Sequence, residues 1–264
     1  MKPLAAFPEA DRRTVRCVLT DIDDTLTSDG RLQAVAYSAM ERLAAAGIAV
    51  IPVTGRPAGW CDLIARQWPV AAVIGENGAF WFRHDEQGRR FVRRWWVEEA
   101  QRKADHERLW RIARHVLAEV PGTGIASDQQ FRAADIAIDW CEDVAPLPDS
   151  EVRRIVAIAA AEGATAKVSS IHVNMWFGDF SKLGMARRCV AEVLGLDVDA
   201  DPAPFVFVGD SPNDQTMFAH FPNAVGVANV LRFRDQLTQP PAYVTASEGG
   251  VGFAEVAEAL LAVR

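Results

Sequence analysis

Cysteine is scarce in this chain and never clustered. Its four cysteines, Cys17, Cys61, Cys141 and Cys189, include no CxxC pair. That spacing argues against a disulfide framework or a thiolate zinc site and fits single thiols in a reducing, cytoplasmic compartment. No apolar run approaches the roughly 20 residues of a membrane-spanning helix, so no membrane association is expected. Residues 1–13 carry scattered charges and two prolines, without the apolar segment of a secretory signal. Positive charge is not in excess: the formal net charge is −7. Non-specific nucleic-acid binding is therefore not expected, although a local basic patch can still hold a small anion. Internal repeats, low-complexity stretches and long charge runs are also absent. What remains is 264 residues, half of them apolar and 24% charged. This is ordinary globular composition, sized for one large domain or a core with a smaller companion.

The two ends of the chain read as α/β. Residues 15–20, 48–53, 71–75 and 204–208 are short apolar runs, as in strands buried on both faces of a parallel sheet. Leu32, Val35, Ala36, Ala39, Met40 and Leu43 mark one apolar face of a helix ending near Gly47. Further helices are expected over 57–67, with Pro57 in the first turn, over 182–194, from 212, and over 252–262. Strands are expected at 223–227 and 242–244. Such alternation predicts a doubly wound, Rossmann-like parallel sheet with right-handed crossovers.

The middle has a different texture. It reads as strands at 79–83 and 89–96 around a turn at Glu86-Gln87-Gly88, and a helix at 99–118. Strands at 124–127 and 133–140, a helix at 150–162, and strands at 165–169 and 171–177 follow. Trp81, Trp95, Trp96, Trp110, Trp140 and Trp176 all fall here. Hairpins mixed with two helices suggest an inserted α+β domain with an antiparallel sheet. The expected division is a core of 1–79 and 179–264 and a cap of 80–178.

Four short segments carry the chemistry: Asp21-Ile22-Asp23-Asp24-Thr25, Val53-Thr54-Gly55-Arg56-Pro57, Ser181-Lys182 and Gly209-Asp210-Ser211-Pro212-Asn213-Asp214. Asp21 follows an apolar strand and so belongs at the carboxyl edge of the sheet, where open α/β sheets bind ligands. One carboxylate can attack phosphorus, and a second can protonate the leaving oxygen and later deprotonate water. A calcium loop starting at Asp21 would need glycine at its sixth position and glutamate at its twelfth, where Leu26 and Leu32 stand. Thr54 leads into a helix whose first N–H groups are open to an anion, although it can also be read as a helix cap. Lys182 follows a good cap, Ser181, against the helix dipole. Asp210 and Asp214 lie one helical turn apart and offer the hard oxygen ligands that suit Mg²⁺.

These residues resemble the motifs of the haloacid dehalogenase superfamily of phosphatases. Asp21-Ile22-Asp23-Asp24-Thr25-Leu26 is similar to its first motif, with Asp24 where glycine is usual. Thr54-Gly55-Arg56-Pro57 is similar to the second motif, Lys182 to the third, and Gly209 to Asp214 to the fourth. Glu76-Asn77-Gly78-Ala79 resembles a segment common in the subgroup with an α/β cap, subgroup IIB, of Cof-type and sugar-phosphatase-like proteins. Asp21 and Thr54 lie 33 positions apart, too few for a cap, whereas the 128 positions from Thr54 to Lys182 leave room for one. The resemblance implies Asp21 as nucleophile and Mg²⁺ ligand, and Asp23 as acid/base with its backbone carbonyl on the metal. It implies Asp210 and Asp214 as further metal ligands. Thr54, Gly55, Lys182 and Asn213 would hold the phosphoryl group. The implied activity is Mg²⁺-dependent hydrolysis of a small phosphorylated metabolite, a sugar phosphate, through an aspartyl-phosphate.

Two features depart from the pattern. Lys182 is followed by Leu183 before Gly184, and the stretch Ser169 to Phe177 matches no sugar-phosphatase signature. Arg90, Arg93, Arg94, His172 and Asn174 are candidate substrate contacts from the cap. Phosphoryl transfer to a second sugar is the alternative activity on the same scaffold. A non-catalytic, receiver-like phosphate-binding protein is the reading from another class. Receivers, however, are about half this length and lack a second carboxylate two positions after the first. Neither the natural substrate nor the oligomeric state is encoded in these motifs.

Overall fold

Cys17, Val18, Leu19 and Thr20 are fully buried, and their side chains alternate between two apolar layers. Val18 joins Val50, Val206 and Val225 in one layer, while Cys17 and Leu19 join Ile51, Phe205 and Phe207 in the other. A strand buried on both faces belongs in the middle of a parallel sheet. In the computed structural model, which describes residues 1–85, 87–169 and 171–264, this strand pairs in parallel with Ala49–Pro52 on one side and Phe205–Gly209 on the other. Glu86 of the expected turn, and Ser170, lie outside the described residues. The sheet runs on through Val225–Gly226 and Tyr243–Val244 to a short edge strand, Lys2–Pro3. Helices Ala34–Ala45 and Gly249–Leu261 cover the first layer, and Lys182–Leu194 and Gln215–His220 cover the second. The core is thus the expected doubly wound α/β sheet. Among the described residues no helix is long and apolar enough to cross a membrane.

The inserted α+β unit has its own apolar cluster. Its antiparallel sheet is ordered Thr165–Val168, His172–Trp176, Ile136–Asp139, Gly124–Ile125. Ile136, Ile138, Val173 and Met175 pack with Leu109, Ile112 and Val116 of helix Glu99–Glu119 and with Val152 and Ile155 of helix Asp149–Ala161. By strand alternation, Asp139, His172 and Asn174 occupy the opposite face, whose Trp176 joins the core's apolar cluster.

Residues 80–96, expected in the cap, extend the core instead. Phe80–Asp85 pairs antiparallel with Val73–Gly75 and with Arg90–Trp95. Val73–Gly75 is tied to the parallel sheet by the bridge Val53–Ile74. Phe80 and Phe82 sit in one core layer and Trp81 in the other. Three consecutive apolar residues buried on both faces are a central-strand signature, which the hairpin texture masked. The chain therefore leaves the core after Trp96, not after Ala79. Trp96 donates from its backbone N to Ala79 O at 2.8 Å and from Nε1 to Asp179 Oδ1 at 2.9 Å, which pins the outgoing and returning segments together. Gly78, at φ 109°, lies inside the core: a Cβ there would stand 2.2 Å from Ser181 O.

Candidate active site

Asp21 emerges one residue beyond its strand, held by its backbone N–H to Val208 O at 2.9 Å. Its Oδ1 accepts from Ile22 N at 2.9 Å, and its Oδ2 lies 3.1 Å from Lys182 Nζ. Lys182 also donates to Asp214 Oδ1 at 2.9 Å. Ser181 caps the lysine's helix by accepting from Gly184 N at 3.1 Å. The Leu183-Gly184 departure has a packing reason, since a Cβ at Gly184 would sit 3.1 Å from the Trp96 ring and 3.2 Å from Ser181 Oγ. Asp214 folds back against Gly209, where a Cβ would meet its carboxylate at 2.4 Å, and accepts from Asp210 N at 3.2 Å. Asp21, Asp210 and Asp214 are all buried, and each offers an oxygen within 4.8 Å of the others.

Burial pushes the Asp21 carboxyl up to about 7; Lys182 opposes this, and Asp214 and Asp23 reinforce it. Burial and the neighbouring Asp214 and Asp21 hold Asp210 well above the carboxylate range. Burial alone would lower Lys182, but the two carboxylates outweigh it and raise it. Three clustered carboxylates against one ammonium leave negative charge in excess, the setting in which a divalent cation binds. Asn213 adds a buried Oδ1 with no partner among the described residues. Asn229 Nδ2, from a 3-10 stretch Ala228–Gln236 that sequence patterns did not reveal, reaches Asp210 Oδ2 at 3.3 Å and Asp24 O at 2.7 Å.

Thr54 is fully buried, and its Oγ1 accepts from Arg56 N at 3.0 Å. The hydroxyl's acceptor role is thereby filled, and its proton is left to donate. A Cβ at Gly55 would crowd the Asn77 amide at 3.3 Å.

Asp23 does not join the acidic trio. Its carboxylate is clamped by Arg56, with Nε 2.9 and 3.0 Å from the two oxygens and Nη2 2.7 Å from Oδ1. Arg56 reaches on toward Asp128 of the cap at 4.0 Å, and Arg132 binds Asp128 at 2.9 Å, Asp135 at 3.0 Å and Gly55 O at 3.1 Å. Glu76 completes this junction: it accepts from Ala58 N of the core and from Ala133, Ala134 and Asp135 N of the cap at 2.6–3.1 Å. Arg56, Glu76, Asp128, Arg132 and Asp135 had no role in the sequence reading. A buried run of three acids and two arginines becomes visible only once the cap is folded onto the core. Beside Asp23 lies a mostly apolar cavity of about 350 Å³, lined by Leu32, Trp60 and Trp68 of the core and Phe131 of the cap, among others.

The family model of haloacid dehalogenase-like hydrolases matches residues 18–94, which contain Asp21, Asp23, Thr54 and Glu76. This stretch of the chain is similar to that family. Over 252 residues it is 27% identical to a protein named phosphoglycolate phosphatase from Archaeoglobus fulgidus, covering 94% of this chain and 98% of that one. Its fold is similar to that of a solved structure from Thermoplasma acidophilum, with a TM-score of 0.72, 16% identity, and 94% and 98% of the two chains covered. A sucrose-phosphatase from Synechocystis sp. PCC6803, solved with sucrose and phosphate, matches with a TM-score of 0.64, 15% identity and the same coverages.

One departure from the family's pattern now has a geometric reading. Asp24, where the family's glycine is usual, adopts φ 55°, a left-handed conformation that aspartate tolerates better than most residues. The cap candidates divide. Asn174 faces the junction, with Nδ2 donating to Asp135 Oδ2 at 2.9 Å, and His172 Nε2 lies 2.8 Å from Glu142 Oε2. Arg90, Arg93 and Arg94 are not brought to the site. They pair with Asp85, Asp62 and Glu192 at 3.2, 2.7 and 3.0 Å on the exposed side of the core hairpin, as solvated strand charges do.

Proposed function

We propose that this hydrolase is a Mg²⁺-dependent phosphatase acting on a small phosphorylated metabolite through an aspartyl-phosphate. The observation that carries the reading is the buried trio Asp21, Asp210 and Asp214 with Lys182 Nζ between Asp21 and Asp214, at 3.1 and 2.9 Å. Asp21 Oδ attacks phosphorus, forming the acyl-phosphate bond as the bond to the leaving oxygen breaks. Asp23, oriented by Arg56, gives that oxygen a proton and later takes one from the water that cleaves the acyl-phosphate. Lys182, the Thr54 hydroxyl and the amide groups of Gly55 and Asn213 bind the phosphoryl oxygens. Mg²⁺ would be held by Asp21, Asp210, Asp214 and the Asp23 carbonyl, and would supply positive charge where the phosphate meets these carboxylates. The excess of buried negative charge and the unsatisfied Asn213 oxygen support this fit.

The named relatives act on small phosphate monoesters with polar bodies, and the core-facing side of the cap sheet is polar here too. A phosphorylated sugar or hydroxy acid is the substrate class we propose. The test is phosphate release from a panel of such esters, with Mg²⁺ and no phosphorylated acceptor. Release that stops on chelation supports the reading. Release only when a second phosphorylated sugar is supplied would make the protein a phosphotransferase instead.

A further inference from the structure

Lys167 is a half-buried cation of the cap with no ion pair among the described residues. It lies on strand Thr165–Val168, directly opposite Asn174 of the neighbouring strand. Residues opposite one another in an antiparallel pair share a face. Asn174 donates to Asp135, and Asp135 is bound by the same Arg132 that reaches Gly55 O in the core. Lys167 is thereby on the side of the sheet that looks into the catalytic cleft. Its pKa is lowered by burial first, then by Lys182, while Asp214 opposes, so the fields of both catalytic groups reach it.

The other charges on this face are already matched. Arg132 is bound by Asp128 and Asp135, and Arg56 by Asp23. His172 lies beside Glu142, and the Asp139 carboxylate accepts from the backbone N–H groups of Cys141, Glu142 and Asp143. Among the described residues Lys167 has neither a hydrogen bond nor an ion pair, although it is half-buried. Holding an unpaired ammonium there costs free energy that a bound anion would recover.

We propose that Lys167 binds a carboxylate on the leaving-group side of the substrate, so that the enzyme prefers phosphorylated hydroxy acids over neutral phosphate esters. This rests on the phosphatase reading. A monoanion fits better than a second phosphate. One ammonium balances one charge, and a dianion would leave a second charge unmatched on the half-buried face. Lys167 is a specificity residue in this account; the transferring phosphate is left to Lys182.

The test compares kcat/KM on matched esters: phosphoglycolate with 2-hydroxyethyl phosphate, and 3-phosphoglycerate with glycerol 3-phosphate. A charge-assisted hydrogen bond predicts that the wild type favours the acid of at least one pair by about 10- to 100-fold. K167M should erase that preference mainly through KM, losing at least ~10-fold more on the acid than on its neutral partner, and K167R should restore most of it. Turnover without acid preference in either pair would overturn the inference and leave the phosphatase reading intact. Equal losses of K167M on acid, neutral ester and aryl phosphate would also overturn it, because Lys167 would then act on the transferred phosphate or on stability. No turnover of any ester would overturn the phosphatase reading, and the inference with it.

Discussion

Arg56 grips both carboxylate oxygens of Asp23, at 2.7 to 3.0 Å, and lies 4.0 Å from Asp128 of the cap. The residue proposed for proton transfer is thus held by a side chain that also reaches toward the cap. Asp128 is in turn bound by Arg132, which reaches Gly55 O beside Thr54. The proposed acid/base and the core–cap junction share one chain of charges.

Arg56→Lys keeps the charge but loses the planar fork. A misoriented acid/base should lower kcat by roughly tenfold on esters with poor leaving groups, a part of what general acid–base catalysis contributes. KM should change little, and an activated aryl phosphate should be less affected in its first step. Steady-state kinetics with both ester types check this. Equal losses on both would mean that Arg56 serves the phosphoryl site and does not orient Asp23.

Glu76 clamps cap to core through four backbone N–H groups. Burial pushes its carboxyl up to about 7, Asp135 adds to this, and Arg132 and the N–H groups oppose. A raised folded-state pKa means that the native protein holds the proton longer than the unfolded chain does. The corresponding stability is full below the ordinary value of 4.5 and is lost as pH rises through about 7. Glu76→Gln should remove that slope between those limits. At pH 8 it should cost about 1–3 kcal/mol by leaving buried N–H groups unpaired. Denaturant unfolding of both proteins across this range measures it, and hydrogen exchange at Ala133 and Ala134 should rise in the mutant.

Asp24 sits at φ 55° beside Asp23, and burial and that neighbour raise its pKa. Asp24→Gly relieves the left-handed strain and one buried charge, against the added entropy of the unfolded chain. Thermal unfolding should show the mutant equal to the wild type or more stable, by up to about 1 kcal/mol. A clear loss of stability would mean that the Asp24 carboxylate is needed where it stands.

The core was legible because parallel strands buried on both faces are written as apolar runs, and three of the candidate site residues follow one. Asp21 after Thr20, Thr54 after Val53 and Asp210 after Gly209 all lie at that edge. The cap boundary was misread because Phe80-Trp81-Phe82 opens a hairpin whose register, not its composition, ties it to Val73–Gly75. The core–cap junction was hidden for another reason. Glu76, the Asp128–Arg132 pair and Lys167 are distant from one another in sequence, and they acquire meaning only through the tertiary contact. Arg93 and Arg94 misled because a basic strand looks the same whether it faces substrate or solvent.

The central claim is that Asp21 becomes phosphorylated. Rapid acid quench of the wild type during turnover of a reactive phosphate ester with Mg²⁺, followed by peptide mass spectrometry, tests it directly. The account predicts a phosphoryl adduct on the peptide carrying Asp21, enriched in Asp23→Asn, where water attack is slowed. In Asp21→Asn both the adduct and phosphate release should vanish while the fold remains intact. Substantial phosphate release by folded Asp21→Asn would contradict the account.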